Sequence, residues 1–251
     1  MAKAPPIENY KLLKRVDQTR DVFELTFAKK SEVNFLAGQF ISIIIPGAGP
    51  GGRDLRRAYS IASTPDKKDV FELSIKLVEG GPGTTYLNKL RPGDEIRGQF
   101  PMGDFVMTHP EDAPVIFIGT GTGVAPHRSM VLTSSRDFSK APVAFLLGVR
   151  AEEDIIYPEL FETDKPSTLR NQKHVKICLS RPADAAAFLK HDYAYQGRVT
   201  DYLRNEMPEW DFKRSHFYLC GSGPMIQEVQ TWLAEKFGLD KTQIHKEAYF
   251  K

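Results

Sequence analysis

From Pro114 onward the chain carries four apolar runs, VIFIG (115 to 119), VAFLLG (143 to 148), HVKICL (174 to 179) and HFYLCG (216 to 221), separated by stretches of helical character. Runs of this kind suit strands buried on both faces, as in a parallel sheet covered by helices. Candidate helices begin near Pro126, Pro158, Thr200 and Pro224. A proline is tolerated in a first helical turn because the N–H it lacks has no partner there. Up to about residue 107 the rhythm is different: VFELTFA, FISIIIP, AYSIAST, FELSIKLV and DEIRGQF are short, rich in Val, Ile, Phe and Leu, and broken by Gly, Pro and Asp. That spacing predicts antiparallel strands closing into a barrel or sandwich. Phe71, Leu73, Ile75 and Leu77 alternate with Glu72, Ser74 and Lys76, which predicts a strand with one buried face. Gly47 to Gly52, in PGAGPGG, reads as a flexible loop. The expected organisation is a β-barrel domain over residues 1–110 and a doubly wound α/β domain over residues 111–251, with THPEDA (108 to 113) as the linker.

Charge and cysteine content narrow the function classes. The 34 basic and 32 acidic residues leave a net charge of +2, with about +3 before residue 110 and −1 after it. This is too little to drive general binding to a nucleic acid backbone. Two cysteines, Cys178 and Cys220, exclude a disulfide framework, a zinc ribbon and a four-thiolate iron–sulfur cluster, and fit a reducing cytoplasm. The six histidines are not paired at metal-ligand spacing and read as surface or packing residues, so no metal is expected. No secretory core and no run of roughly 18 apolar residues is found, so no membrane insertion is expected.

The strongest local signal for chemistry is VIFIGTGTGVAP, in which a buried strand runs into Gly119, Thr120, Gly121, Thr122 and Gly123, and Pro126 opens a helix. Glycines let backbone N–H groups approach an anion and the helix dipole adds to the attraction, so a diphosphate is the natural guest. A tight strand-to-helix turn that needs glycine only for its backbone is the competing reading, because the pattern departs from G-x-G-x-x-G. The same design recurs at FYLCGSGPM, with Cys220, Gly221 and Met225, so both turns are expected to border one crevice at the carboxyl ends of the strands. In the first half, Arg57 offers a fork for phosphate and Tyr59 a ring for stacking, while Ser60 projects to the other face. GGPGTT (80 to 85), containing Gly83, Thr84 and Thr85, suits a second phosphate contact or a plain hairpin connection.

Taken together and in this order, R-A-Y-S at 57 to 60, GGPGTTYL at 80 to 87, GTGTGVAP at 119 to 126, CGSGPM at 220 to 225 and EAYF at 247 to 250 resemble the ferredoxin-NADP reductase family over nearly the whole chain. The resemblance implies a barrel that binds FAD, a second domain that binds NAD(P)H, and a hydride moving between them at the domain junction. Arg57 then resembles the ligand of the flavin diphosphate, Tyr59 the ring against the isoalloxazine, and Ser60 the hydroxyl near flavin N5. Thr84, with Gly83 and Thr85, resembles the second diphosphate contact. Gly119 to Pro126, with Gly221 and Met225, resembles the nicotinamide nucleotide site, and Cys220 the thiol beside the nicotinamide. Glu247 and Tyr249, or Phe250 as the aromatic, resemble the carboxyl-terminal acid and ring that border the flavin. Ser180 and Arg181 resemble the 2'-phosphate site, with Arg150, Lys190 and Arg198 as further cations, and no acid occupies 179 to 183, which favours NADPH over NADH.

The catalytic residues implied are Ser60, Cys220 and Glu247, and the chemistry itself is the cofactors'. Because the chain lacks cysteines for its own cluster, the expected acceptor is a separate carrier such as ferredoxin or flavodoxin. Two alternatives are an NADH-dependent reductase component of an oxygenase or cytochrome system, and a flavin-binding relay subunit with a vestigial nucleotide site.

Overall fold

Alternating apolar residues in the first half build one antiparallel sheet from β1 (Ile7–Asp17), β2 (Val22–Ala28), β3 (Phe40–Ile45), β4 (Leu55–Ser60), β5 (Val70–Lys76) and β6 (Glu95–Met102), in the order β4-β3-β6-β1-β2-β5. The computed structural model describes residues 4–110, 112–133, 141–162, 169–170 and 172–249. It divides into two units: the chain up to Met107 with Arg128–Thr133, and Thr108–His127 with the chain after Thr133. In the first unit the outermost strands β4 and β5 are drawn together past their ladders, where Ile61 bridges Leu73 and the Ala62 N–H donates to the Glu72 carbonyl at 2.8 Å. Closure into a barrel leaves fewer open strand edges to pair with other chains. Its interior is aromatic: the Phe71 ring lies 5.5 Å from Phe27 and 4.8 Å from Phe100, with Tyr10 edge-on at 5.4 Å.

Three local expectations change here. β5 is buried on both faces, since Glu72 and Ser74 are buried along with Phe71, Leu73 and Ile75. Each is held by a partner: Glu72 pairs with Lys67 and, at 3.4 Å, with Arg128, while Ser74 donates to Gln18 at 2.9 Å. GGPGTT is not a hairpin connection, because Pro82 opens helix α1 (Pro82–Lys89). PGAGPGG contains one 3-10 turn, Pro50–Gly52.

The second unit is a parallel sheet with helices. It comprises β7 (Val115–Thr120), α2 (Val124–Thr133, whose second half belongs to the first unit), β8 (Val143–Val149), β9 (His174–Leu179), α3 (Ala185–Phe188), β10 (Ala194–Gln196), α4 (Val199–Asn205), β11 (His216–Ser222), α5 (Gly223–Phe237) and β12 (Ile244–Tyr249). The order β10-β9-β8-β7-β11-β12 puts the reversal of winding at β7 and β11, the place where such sheets bind ligands. α5 buries Met225, Ile226, Val229 and Leu233, a helical stripe that packs with Tyr202, Leu203 and Phe212 on the core. β7, β8, β9 and β11 are the four apolar runs, and helices start beside Pro126, Thr200 and Pro224 as expected. Near Pro158, among the described residues, only the 3-10 turn Pro158–Leu160 forms. Leu160 and Phe161 are fully buried. Among the described residues no helix is long and apolar enough to cross a membrane.

Candidate functional site

In the first unit, β4 leaves Arg56, Arg57 and Ala58 exposed in succession, so both faces of this strand are open, while Ser60 at its end is buried. Gly83, in the first turn of α1, sits against it. A Cβ on Gly83 would lie 2.6 Å from the Tyr59 hydroxyl and 3.0 Å from Arg57 Cγ. The structure thus brings Arg57, Tyr59 and Gly83 together, and a side chain at position 83 would fill the space beside them. Burial pushes the Tyr59 hydroxyl up to about 12 despite the nearby Arg57 charge, so it stays a neutral donor. The Thr84 hydroxyl lies 3.1 Å from the Val78 N–H, 3.2 Å from the Gly81 carbonyl and 3.3 Å from the Val78 carbonyl, which fastens the loop to the start of α1. Thr85 is exposed, and its N–H donates to Gly81 at 2.9 Å. A guanidinium beside a helix amino terminus that begins Gly-Pro-Gly suits a diphosphate, and the free faces of β4 suit a flat ring system. The residues present therefore fit a flavin dinucleotide.

In the second unit, the two glycine turns, a hundred residues apart in sequence, lock together. Gly119 and Cys220 are paired across the β7–β11 ladder. A Cβ on Gly123 would lie 2.3 Å from the Cys220 carbonyl oxygen, and Gly221, at φ +117°, packs on Thr120. The Thr120 hydroxyl accepts the Ser222 N–H at 2.8 Å. Around Gly121, at φ +53°, no atom lies within 4 Å of the place a methyl would take, which leaves its backbone approachable. Thr122 and Pro126 are buried, and Met225 lies in the core beneath α5. Sequence reasoning passed over Ser222, which caps α5 with its hydroxyl facing the Met225 N–H at 3.5 Å. Its signal was a serine placed directly before Gly-Pro.

Cys220 is fully buried, with Glu247 opposite it on β12 and a hydrogen bond from the Tyr249 side chain. Burial is the leading cause that raises the thiol well above its ordinary range; Glu247 adds to this and the Tyr249 bond opposes it. A thiol held protonated in this way contributes shape and a weak donor rather than a nucleophile. Cys220, Glu247 and Tyr249 are therefore one cluster, while Phe250 lies outside the described residues.

Ser180 and Arg181 are exposed just past the carboxyl end of β9. The Ser180 N–H donates to the Val149 carbonyl at 3.2 Å and the Arg181 N–H to the Arg150 carbonyl at 2.7 Å, so the ends of β8 and β9 present Arg150 and Arg181 on neighbouring loops. Arg198 stands at the start of α4, where its N–H donates to Asp201 at 3.1 Å, and Lys190 lies just beyond α3.

Of the surface and packing readings, His109, His127 and His174 take the packing one, since they are buried, and tertiary structure brings His216 Nδ1 to 3.3 Å from His245 Nε2. Among the described residues no group of three or more side chains suits a metal. Burial pushes the pKa of His127 down to about 3 against a bond to the Tyr218 backbone, and that of His174 down to about 4, with Lys173 and Lys176 adding repulsion. Both are neutral when folded and protonate near pH ~6.5 when unfolded, so the unfolded chain binds more protons below that pH. Stability is complete above about pH 6.5 and falls as the pH drops, by up to about 1.4 kcal/mol per pH unit for each histidine. Urea unfolding at about pH 7 and about pH 5 checks this: His127→Leu, which keeps an apolar group against Phe117 and Phe145, is expected to flatten the dependence by the share of one histidine. An unchanged slope would count against a neutral buried His127.

A family model described as an oxidoreductase FAD-binding domain matches residues 9–107, and one described as an oxidoreductase NAD-binding domain matches residues 117–231. Ferredoxin–NADP reductase B of Sorangium cellulosum (strain So ce56) is 34% identical over 230 residues, covering 91% of each chain. The reductase component of phenol 2-monooxygenase from Pseudomonas sp. (strain CF600) is 26% identical over 250 residues, covering 92% of this chain. The chain spans only 63% of that relative's length. A crystal structure of a ferredoxin NADP+ reductase from Neisseria gonorrhoeae with bound FAD and NADP superposes with a TM-score of 0.78 over 97% of this chain and 99% of that one, at 20% identity, which shows a shared fold.

Proposed function

The chain belongs to the ferredoxin-NADP reductase family, and from that premise we propose that it passes a hydride between NADPH and bound FAD and hands electrons singly to a separate carrier of the ferredoxin or flavodoxin class. The observation that carries this reading is the interlocked pair of glycine turns at the β7–β11 switch point, where the cluster of Cys220, Glu247 and Tyr249 adjoins a backbone that an anion can approach. We assign FAD to residues 1–110 and the nucleotide to residues 111–251. When bound, FAD supplies a centre that accepts two electrons and releases them one at a time.

The chain's own residues hold and orient. Arg57 and the backbone at Gly83 to Thr85 neutralise the flavin diphosphate, Tyr59 covers the ring, and Ser60 supplies a hydroxyl at the reacting edge. Gly119 to Gly123, with Gly221, receive the nicotinamide nucleotide's diphosphate; Cys220 shapes the nicotinamide pocket and Glu247 steadies charge beside it. Ser180 and Arg181 receive the 2'-phosphate, supported by the absence of an acid at 179 to 183. Both cysteines are buried, so the chain offers no thiolate set for a cluster of its own, and a reducing cytoplasm fits two free thiols.

Stopped-flow reduction of the flavin, with NADPH compared against NADH, tests the reading. Arg181→Ala is expected to erase a preference for NADPH worth about tenfold or more, the scale of one charge-assisted phosphate contact. Ser60→Ala and Cys220→Ser are expected to slow reduction with either nucleotide. A wild-type preference for NADH would support a reductase component of the kind found in the phenol 2-monooxygenase system instead. A yellow protein that neither nucleotide reduces would support the relay subunit.

A further inference from the structure

The segment that presents Ser180 and Arg181 follows the end of β9 and reaches α3 only at Ala185, so residues 181 to 184 lie outside any regular element. Two kinds of bond hold them in place. The Arg181 N–H donates to the Arg150 carbonyl at 2.7 Å, which continues the β8–β9 pairing by one step. Beyond it, the Glu152 carboxylate on the neighbouring loop accepts the Ala183 N–H at 2.9 Å through Oε2 and the Asp184 N–H at 3.4 Å through Oε1. Asp184 then caps α3 by accepting the Ala187 N–H at 3.0 Å. The loop that bears Glu152 is itself fastened, with the Ala151 N–H donating to Asp154 at 3.3 Å and the Ile155 N–H to the Glu152 carbonyl at 3.1 Å. Donation from the Ala183 N–H is the leading cause of a lowered Glu152 pKa, as expected of a carboxylate used as an acceptor.

We propose that Glu152 is a positioning residue for nucleotide selectivity: its carboxylate clips residues 183 and 184 so that the loop holding Ser180 and Arg181 is already set for a 2'-phosphate. The proposal rests on the assignment of Ser180 and Arg181 made above. It also runs against simple charge reasoning. A carboxylate close to a phosphate site should repel the phosphate, so its removal should tighten NADPH binding if Glu152 acted only through its charge. A carboxylate that acts by ordering the loop has the opposite effect, because its removal returns the ordering cost to the binding step.

The experiment measures KM and kcat for NADPH and NADH on the FAD-loaded protein, for the wild type, Glu152→Ala, Glu152→Gln and Arg181→Ala, with amide hydrogen exchange at residues 183 and 184. Glu152→Ala is expected to raise the KM for NADPH about fivefold relative to that for NADH, the scale of re-ordering one short loop, with the change in KM rather than kcat. Exchange at Ala183 and Asp184 is expected to speed up in the same variant. Glu152→Gln, which keeps an acceptor oxygen and discards the charge, should recover most of the loss. A lower KM for NADPH in Glu152→Ala, a failure of Glu152→Gln to recover, or unchanged exchange overturns the proposal. An unchanged KM ratio in Glu152→Ala beside a changed one in Arg181→Ala overturns the role of Glu152 alone. An unchanged ratio in both variants overturns the phosphate assignment beneath it.

Discussion

Gly123→Ala is expected to lower NADPH-driven ferricyanide reduction by at least about 100-fold, the scale of displacing a reacting group by about an ångström, while leaving the flavin in place. The added methyl would lie 2.3 Å from the Cys220 carbonyl oxygen, 2.6 Å from its carbonyl carbon and 2.9 Å from Gly221 Cα. All three are backbone atoms, so no side-chain rotation relieves the clash. They also sit in the middle of a parallel sheet, where β7 and β11 pair from His216 and Val115 to Cys220 and Gly119. The strands must part or the turn must lift, and either one moves the glycine turns and Cys220 together. Overpacking of this kind costs roughly 1–3 kcal/mol, which a domain of ordinary stability survives. Flavin content should hold, because Arg57, Tyr59 and Gly83 belong to the first unit. Full turnover in the variant would show that the space between the two turns is not where the nucleotide is gripped.

The second large effect separates binding from stability. Gly83→Ala places a methyl 2.6 Å from the Tyr59 hydroxyl and 3.0 Å from Arg57 Cγ, so here the atoms that must move are side chains. Inside a helix, alanine is favoured over glycine by up to about 1 kcal/mol, so the apoprotein should unfold at the same temperature or slightly higher. The displaced ring and guanidinium are the groups assigned to the flavin. The affinity for FAD, read by titrating flavin into the apoprotein, is expected to fall about tenfold, which corresponds to about 1.4 kcal/mol of binding. A variant with undiminished flavin affinity would sink the assignment of Arg57, Tyr59 and Gly83 to the cofactor. Loss of both flavin affinity and thermal stability would point to a structural role for the contact.

Much of the fold is visible along the chain because burial on both faces leaves its mark on composition. β7, β8, β9 and β11 are nearly unbroken apolar runs, and the helices near Pro126 and Pro224 announce themselves by glycine followed by proline. β10 and β12 left weaker marks: Ala194–Gln196 is three residues long and only half-buried, and the edge strand Ile244–Tyr249 carries Lys246 and Glu247 among half-buried neighbours. α1 was hidden by its glycines, which read as loop although Pro82 could start a helix. Glu72 and Ser74 read as the wet side of a strand because nothing local reveals that Lys67, Arg128 and Gln18 return to cover them. Likewise, 28 residues lie between His216 and His245, and only the pairing of β11 with β12 sets them in contact.

The glycines mark the division most clearly. Gly121 holds a positive φ angle, +53°, with no distant atom in the place of a side chain, a demand made by the chain's own turn and therefore announced by the sequence around it. Gly83 and Gly123 have no such local reason. They are small because a Tyr59 hydroxyl, or a Cys220 carbonyl almost a hundred residues away, occupies the place of their side chain. Local backbone conformation is a property of neighbours in sequence, so the sequence alone determined where the chain turns. Close approach is a property of neighbours in space, so only the tertiary structure decided that Gly83 meets Tyr59 and that Gly123 meets Cys220.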